Sequence, residues 1–239
     1  MSLLGIEIDN LERSEIVQKL KEYLKSSDFH QVVTVNPEFI LLAQENRRFF
    51  NVLQEADLKV ADGFGIKLAL GWQRERLKTR WTGADLMEDI LSLANRKNRK
   101  VFLLANKKGL TSWQEVVQVL QKKYSRIIFQ GKNEDPEETL SSKTLKIIEE
   151  FQPDILFCNY GAPQQEIVIH QLKNHPIKLV MGVGGSFDFI VGRIRRAPLW
   201  MRKIGLEWLY RFWQQPWRWK RIYRAVIVFP WKIINNKKS

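Results

Sequence analysis

Two apolar runs in this chain end on side chains that can do chemistry. Gln31-Val32-Val33-Thr34-Val35 stops at Asn36-Pro37, and Leu58-Lys59-Val60-Ala61 stops at Asp62-Gly63-Phe64-Gly65. Both runs read as strands, and in an open α/β sheet ligands bind at the carboxyl ends of strands. Thr34, Asn36 and Asp62 therefore form a candidate site. A carboxylate delivered there can act as a general base, while a threonine and an asparagine can contact a sugar or its leaving phosphate. Each also has a plainer reading. Asp-Gly is a common turn pair, and Asn36 before Pro37 suits a strand exit followed by a helix cap.

Three further segments carry polar or glycine-rich character. Arg80-Trp81-Thr82-Gly83-Ala84-Asp85 opens a helix. Gly161-Ala162-Pro163-Gln164-Gln165-Glu166 joins a strand to a helix, either as a capped connection or as a ligand-facing loop with a glutamine as donor. Gly182-Val183-Gly184-Gly185-Ser186-Phe187-Asp188 ends the last strand, and backbone amides bare of side chains can cradle a phosphate. It is not the G-x-G-x-x-G fingerprint, because the third glycine is missing, and there is no Walker A lysine motif. A nicotinamide-dependent oxidoreductase is thereby disfavoured. His30, His170 and His175 lack metal-ligand spacing, so no protein-bound catalytic zinc is expected; no cofactor is expected. No G-x-S-x-G elbow supports a hydrolase triad. The single cysteine, Cys158, excludes an internal disulfide and sits in an apolar run, as a buried thiol does.

A repeating strand–helix pattern must position these residues. Residues 3–8 alternate like a strand, and Asn10 is placed to cap a helix over 11–24. After the strand at 31–35, a helix starts at Pro37 with Phe39, Ile40, Leu42, Ala43, Phe49 and Phe50 on its apolar face. Thr82 or Asp85 opens a helix over 86–94. Strands at 101–105, 126–130, 154–159 and 178–183 then alternate with helices at 110–123, 136–151 and 163–172. The fold class this predicts is α/β: a Rossmann-like, mostly parallel sheet with helices on both faces. Ile155-Leu156-Phe157-Cys158 reads as a strand buried on both sides.

The pattern stops near Gly192, and the charge changes with it. Of the net +13, residues 1–192 contribute +1; residues 193–239 hold 13 Lys/Arg against one acid, Glu207. Six of the nine tryptophans lie there too: Trp200, Trp208, Trp213, Trp217, Trp219 and Trp231. The expected organisation is a core at 1–192 and a basic, Trp-rich appendage at 193–239. Helices are expected at 199–213 and 217–229. At about 100° per residue, Trp219, Ile222, Tyr223 and Val226 share one face of the second, and Arg218, Lys220, Arg221 and Arg224 the other. A helix so sorted suits an anionic membrane interface. Nucleic-acid binding is the rival reading of the same charge, and the facial sorting favours the membrane. No window supplies the roughly 18–20 apolar residues that cross a bilayer, and residues 1–9 do not read as a signal peptide. The expected location is cytoplasmic, peripheral on the inner face of a membrane.

Taken in order, these motifs resemble one family. Thr34-Val35-Asn36-Pro37-Glu38, Asp62-Gly63-Phe64-Gly65, Thr82-Gly83-Ala84-Asp85-Leu86, Gly161-Ala162-Pro163-Gln164-Gln165-Glu166 and Gly182-Val183-Gly184-Gly185-Ser186-Phe187-Asp188 match the WecG/TagA/CpsF glycosyltransferases. Arg196-Ala197-Pro198 and Gly205-Leu206-Glu207-Trp208-Leu209-Tyr210-Arg211 continue the match, which spans about residues 3–225. The resemblance implies transfer of a sugar, N-acetylmannosamine or a related hexose, from a UDP-sugar to a polyprenyl-diphosphate-linked GlcNAc acceptor. It implies inversion without a bound metal, in bacterial cell-surface polysaccharide or teichoic acid synthesis. It places Asp62 as base, Thr34 and Asn36 beside the sugar and phosphate, Asp85 beside the sugar pocket, and Gln165 as the motif glutamine. Arg80 is a candidate for the donor diphosphate, and Gly184 and Gly185 for backbone approach to the nucleotide. Arg211, Arg218, Arg221 and Arg224 are candidates for the acceptor diphosphate. A homo-oligomer that covers the apolar tail is a further expectation, and no nucleic-acid partner is expected.

Overall fold

The computed structural model describes residues 1–236. A two-stranded hairpin, β1 (Ser2–Leu3) and β2 (Ile6–Glu7), replaces the single expected first strand. Helix α1 (Arg13–Tyr23) starts later than the Asn10 cap predicts. Glu12 and Glu15 form its capping box, while the Asn10 side chain instead ties down residues 76–78 through Arg76 O and Lys78 N. Strand β3 (His30–Val35) leads into α2 (Pro37–Glu45), capped by Asn36. The expected long helix breaks at Asn46, whose side chain accepts the Phe49 N–H and starts α3 (Arg47–Glu55).

Strand β4 (Leu58–Ala61) is followed by α4 (Phe64–Trp72) and α5 (Gly83–Asn95), the latter capped by Thr82. Then come β5 (Lys100–Asn106), α6 (Trp113–Lys123), β6 (Ile128–Glu134), α7 (Ser142–Phe151), β7 (Ile155–Cys158), α8 (Gln164–His170), β8 (Leu179–Gly182) and α9 (Ser186–Val191). Helix α7 begins six residues after Pro136, because Ser141 supplies its cap.

The main sheet has six strands in the order β4-β3-β8-β7-β5-β6, every pair parallel. Alternate residues of a strand point to opposite faces, and here both faces are buried. On β5, Val101, Leu103 and Ala105 join one cluster with Leu86 and Ile90 of α5 and Val116 of α6; Phe102 and Leu104 join another with Ile148 of α7 and Ile169 of α8. On β3, Val32 faces the first cluster, while Val33 and Val35 pack with Ile40, Phe49 and Ile66 of α2, α3 and α4. Cys158 is buried in β7.

The C-terminal segment divides more finely than expected, into α10 (Leu199–Lys203), α11 (Glu207–Gln214), α12 (Trp219–Tyr223) and α13 (Phe229–Asn236), with a π-helical stretch over Arg224–Val228. The first break falls at Gly205. Its φ is +84°, and a Cβ there would overlap the Phe64 ring, so a glycine lets the chain turn closely over α4. The segment folds back on the core: Phe229 and Ile233, both buried, join the cluster under α2 and α4. Among the described residues no helix is long and apolar enough to cross a membrane.

Candidate active site

The site forms where β3, β4 and β8 end. The Asp62 N–H donates to Val35 O at 2.8 Å, and the Trp81 N–H to Ala61 O at 3.0 Å. The second bond lays residues 80–83 beside the end of β4 and brings the Gly83 N–H and Arg80 to bear on Asp62. Thr34, buried at the end of β3, turns its hydroxyl toward the start of α5; a Cβ on Gly83 would lie 3.3 Å from Thr34 Oγ1.

Asp62 is partly buried. Burial lifts its carboxyl from 3.8 to about 7, and Glu207 adds to the rise; Arg211, the Gly83 N–H and Arg80 pull against it. A carboxylate poised near neutrality is suited to general-base catalysis. Arg80 is held by the tail through a 2.9 Å bond from Nη2 to Arg202 O.

The tail supplies the opposite wall. Asp85 is committed to it: Arg196 Nη1 reaches Asp85 Oδ1 at 2.8 Å, Arg202 Nη2 reaches Oδ2 at 3.0 Å, and the Thr82 hydroxyl donates to Oδ2 at 2.6 Å. Burial works against the Asp85 carboxylate, but the bonds from Arg196 and Thr82 hold it below the ordinary range. Asp85 is thus an anchor for α10 and the segment before it. The guanidinium of Arg211 lies over the Phe189 ring at 4.7 Å. Burial depresses the Arg211 pKa; Glu207 and Asp62 oppose that, and Arg221 and Arg196 add to it. Burial, with Arg221 and Arg211 nearby, lowers Arg218 to about 10. Guanidinium groups crowded in this way make an anion-binding wall.

The other two candidate arginines are paired. Arg221 grips Glu38 through two bonds, at 2.6 and 2.7 Å. Arg224 grips both oxygens of Glu45 at 2.7 Å. Glu45 ends α2, about 12 Å along the helix from Pro37 at 1.5 Å per residue, so Arg224 is not brought to the site.

Asn36 plays the cap role: its Oδ1 accepts the Phe39 N–H at 3.1 Å, which turns the amide NH2 away from the helix. Gln165 is buried rather than ligand-facing. Its Oε1 accepts the N–H groups of Gly161 at 2.9 Å and Gly184 at 3.0 Å, and its Nε2 donates to Glu166 Oε1 at 2.7 Å. The Gly184 amide is therefore already bound. Gly185 faces Asp188, which accepts the Thr111 hydroxyl at 2.7 Å.

Glu207, Arg196 and Glu166 lie inside the motifs but carry no expected role, and Arg202 lies between two of them. One signal was available for Glu207, the sole acid among 13 cations of the tail. Arg202 carried no such mark. Among the described residues no group of three or more His, Cys, Asp or Glu could hold a metal ion.

A family model described as glycosyl transferase WecG/TagA/CpsF family matches residues 1–239. The chain belongs to the WecG/TagA/CpsF glycosyltransferase family. It is 34% identical over 218 residues, 90% of this chain and 80% of the relative, to an N-acetylglucosaminyldiphosphoundecaprenol N-acetyl-beta-D-mannosaminyltransferase of Bacillus subtilis (strain 168). It is 33% identical to the protein of the same name from Staphylococcus aureus (strain MRSA252), an alignment that covers 100% of this chain and 94% of the relative. As a family member it is a glycosyltransferase.

Proposed function

We propose that this glycosyltransferase moves N-acetylmannosamine from UDP-N-acetylmannosamine to a polyprenyl-diphosphate-linked GlcNAc, with inversion and without a metal. The sugar and the acceptor are those named for the Bacillus subtilis and Staphylococcus aureus relatives, and the base is supported by Asp62 at the end of β4, near enough to Arg211 and Arg80 to feel their charge, where burial raises its carboxyl to about 7. Asp62 takes the proton of the acceptor hydroxyl. The hydroxyl oxygen then bonds to the anomeric carbon as the bond to UDP breaks, and the β-phosphate departs with the electron pair. Arg80 meets the charge that builds on UDP, a cation where no metal supplies one. Arg211 and Arg218 take the acceptor diphosphate, with Thr34 and the Asn36 amide beside the sugar.

The tail docks this site on an anionic membrane surface. Trp219, Tyr223, Ile227 and Trp231 recur every four residues and are all exposed, while Phe229 and Ile233 turn into the core. The exposed stripe includes Ile227 and Trp231 in place of Ile222 and Val226, which are half-buried. Aromatic side chains of this kind settle at the headgroup boundary. In solution the stripe is a surface on which two copies can associate, to be read by light scattering. The enzyme then works at the cytoplasmic face, where UDP-sugars and the lipid acceptor meet.

The test is radiolabel transfer to a polyprenyl-diphosphate-GlcNAc analogue from a panel of UDP-sugars, with EDTA throughout. Transfer from UDP-N-acetylmannosamine alone is expected. Transfer from another donor instead overturns the sugar assignment, and loss with EDTA that divalent metal restores overturns metal independence.

A further inference from the structure

Glu166 lies in a position no substrate can touch, wholly buried on the first turn of α8. Its Oε1 accepts the Gln165 Nε2–H at 2.7 Å, and its Oε2 has no hydrogen-bond partner among the described residues. A buried carboxyl group left half-satisfied is costly even when neutral, so the arrangement calls for a reason. Gln165 provides one. Its carbonyl oxygen holds two backbone N–H groups at once, Gly161 in the loop after β7 and Gly184 in the loop after β8. Those loops sit at the carboxyl ends of adjacent strands, Cys158 opposite Gly182. A rotated Gln165 amide would aim its NH2 at both N–H donors and break both bonds. An acceptor on the other side reinforces the orientation that keeps the oxygen facing them, and Glu166 Oε1 is that acceptor. The fit is close, because a Cβ on Gly182 would overlap Gln165 Nε2 and Glu166 Oε1 together.

We propose that Glu166 is a positioning residue for the donor nucleotide: it fixes the Gln165 amide, and Gln165 in turn clamps the Gly161 and Gly184 loops in the spacing that UDP binds. The link to UDP rests on the transfer reaction proposed above; the clamp itself does not. Glu166 performs this as a neutral acid. Burial raises its pKa to about 8, opposed by the Gln165 bond and by its own backbone amide, with Glu38 of α2 adding to the rise. Cys158 of β7 also lies close enough to feel its charge, and the Cys158 thiol is held protonated by burial. The sign follows. The raised pKa favours the fold below the ordinary carboxyl pKa of 4.5, and that contribution is lost as pH rises through about 8.

The experiment compares wild type with Glu166→Gln and Glu166→Met. Glutamine keeps a neutral acceptor, whereas methionine fills a similar volume without one. Two readouts are taken: hydrogen exchange of the Gly161 and Gly184 amides, and UDP affinity by calorimetry. E166Q is expected to keep both within about twofold and to lose less stability than wild type between pH 6 and pH 9. E166M is expected to exchange both amides at least tenfold faster and to bind UDP at least tenfold more weakly, still with a cooperative thermal transition. Unchanged exchange at both glycines in E166M overturns the clamp. Fast exchange with unchanged UDP affinity overturns its role in nucleotide binding. Failure of the wild type to bind UDP at all overturns the donor assignment, while the exchange readout still decides the clamp.

Discussion

Replacing Asp62 with asparagine should give a protein that is nearly inactive and yet more stable above neutral pH. Asparagine has the shape of the protonated acid and no proton-accepting charge. General-base catalysis is worth roughly 10²–10⁴ in rate, so transfer by Asp62→Asn should fall about a thousandfold. The stability effect follows from the same environment. The carboxyl rises from 3.8 to about 7, about three units at about 1.4 kcal/mol each. A group whose pKa is raised by folding favours the fold below the unfolded value, and that contribution is lost as pH climbs through the folded value. Wild type therefore gives up about 4 kcal/mol across that window, and D62N gives up none of it. Between pH 5.5 and pH 8 the stability gap should widen by about 2 kcal/mol in favour of the variant. The assay pairs a pH–rate profile at limiting donor with denaturant melts at those two pH values. Wild-type kcat/KM should climb with pH and level off above about 7, and the residual activity of D62N should lack that limb. Wild-type activity that is flat from pH 5.5 to 8.5, or a variant keeping a tenth of the rate, would refute the base. A gap that does not widen with pH would refute the buried environment inferred for the carboxyl.

Three further outcomes follow from contacts in the fold. Gly182→Ala forces a methyl into Gln165 and Glu166, and with overpacking costing about 1–3 kcal/mol it should lower the melting temperature by several degrees in calorimetry. Gly205→Ala places a Cβ against Phe64 at a φ of +84°; about 1–2 kcal/mol of backbone strain plus the overlap should lift α10 and α11 off the site, so that transfer drops while intrinsic UDP binding changes less. Trp219 and Trp231 are 55% and 64% exposed; replacing each with serine should weaken sedimentation with anionic vesicles about tenfold per tryptophan, at about 1.4 kcal/mol for each factor of ten, without changing the melting temperature.

How legible the molecule was differs from element to element. The parallel sheet was readable because residues such as Val101–Ala105 and Ile155–Cys158 are apolar at every position, and only a strand covered on both faces needs that. Helix ends were less readable, because capping is decided by which side chain wins locally. Asn10 looked like a cap but was claimed by residues 76–78, and Glu12 took the helix. The sequence by itself determined the family motifs, the position of Asp62 at a strand end, and the concentration of charge and tryptophan after residue 192. Tertiary structure alone decided which arginines face the base. Arg211 and Arg224 are equivalent as letters, yet one lies beside Asp62 and the other is bound to Glu45. Gln165 was legible as a polar motif residue but not as a buried clamp, since one of its partners, Gly184, lies in a loop that only the pairing of β7 with β8 brings to it. Composition fixes what a side chain can do; which charge it meets, and how much water remains around it, depends on chain segments as far as 183 residues away.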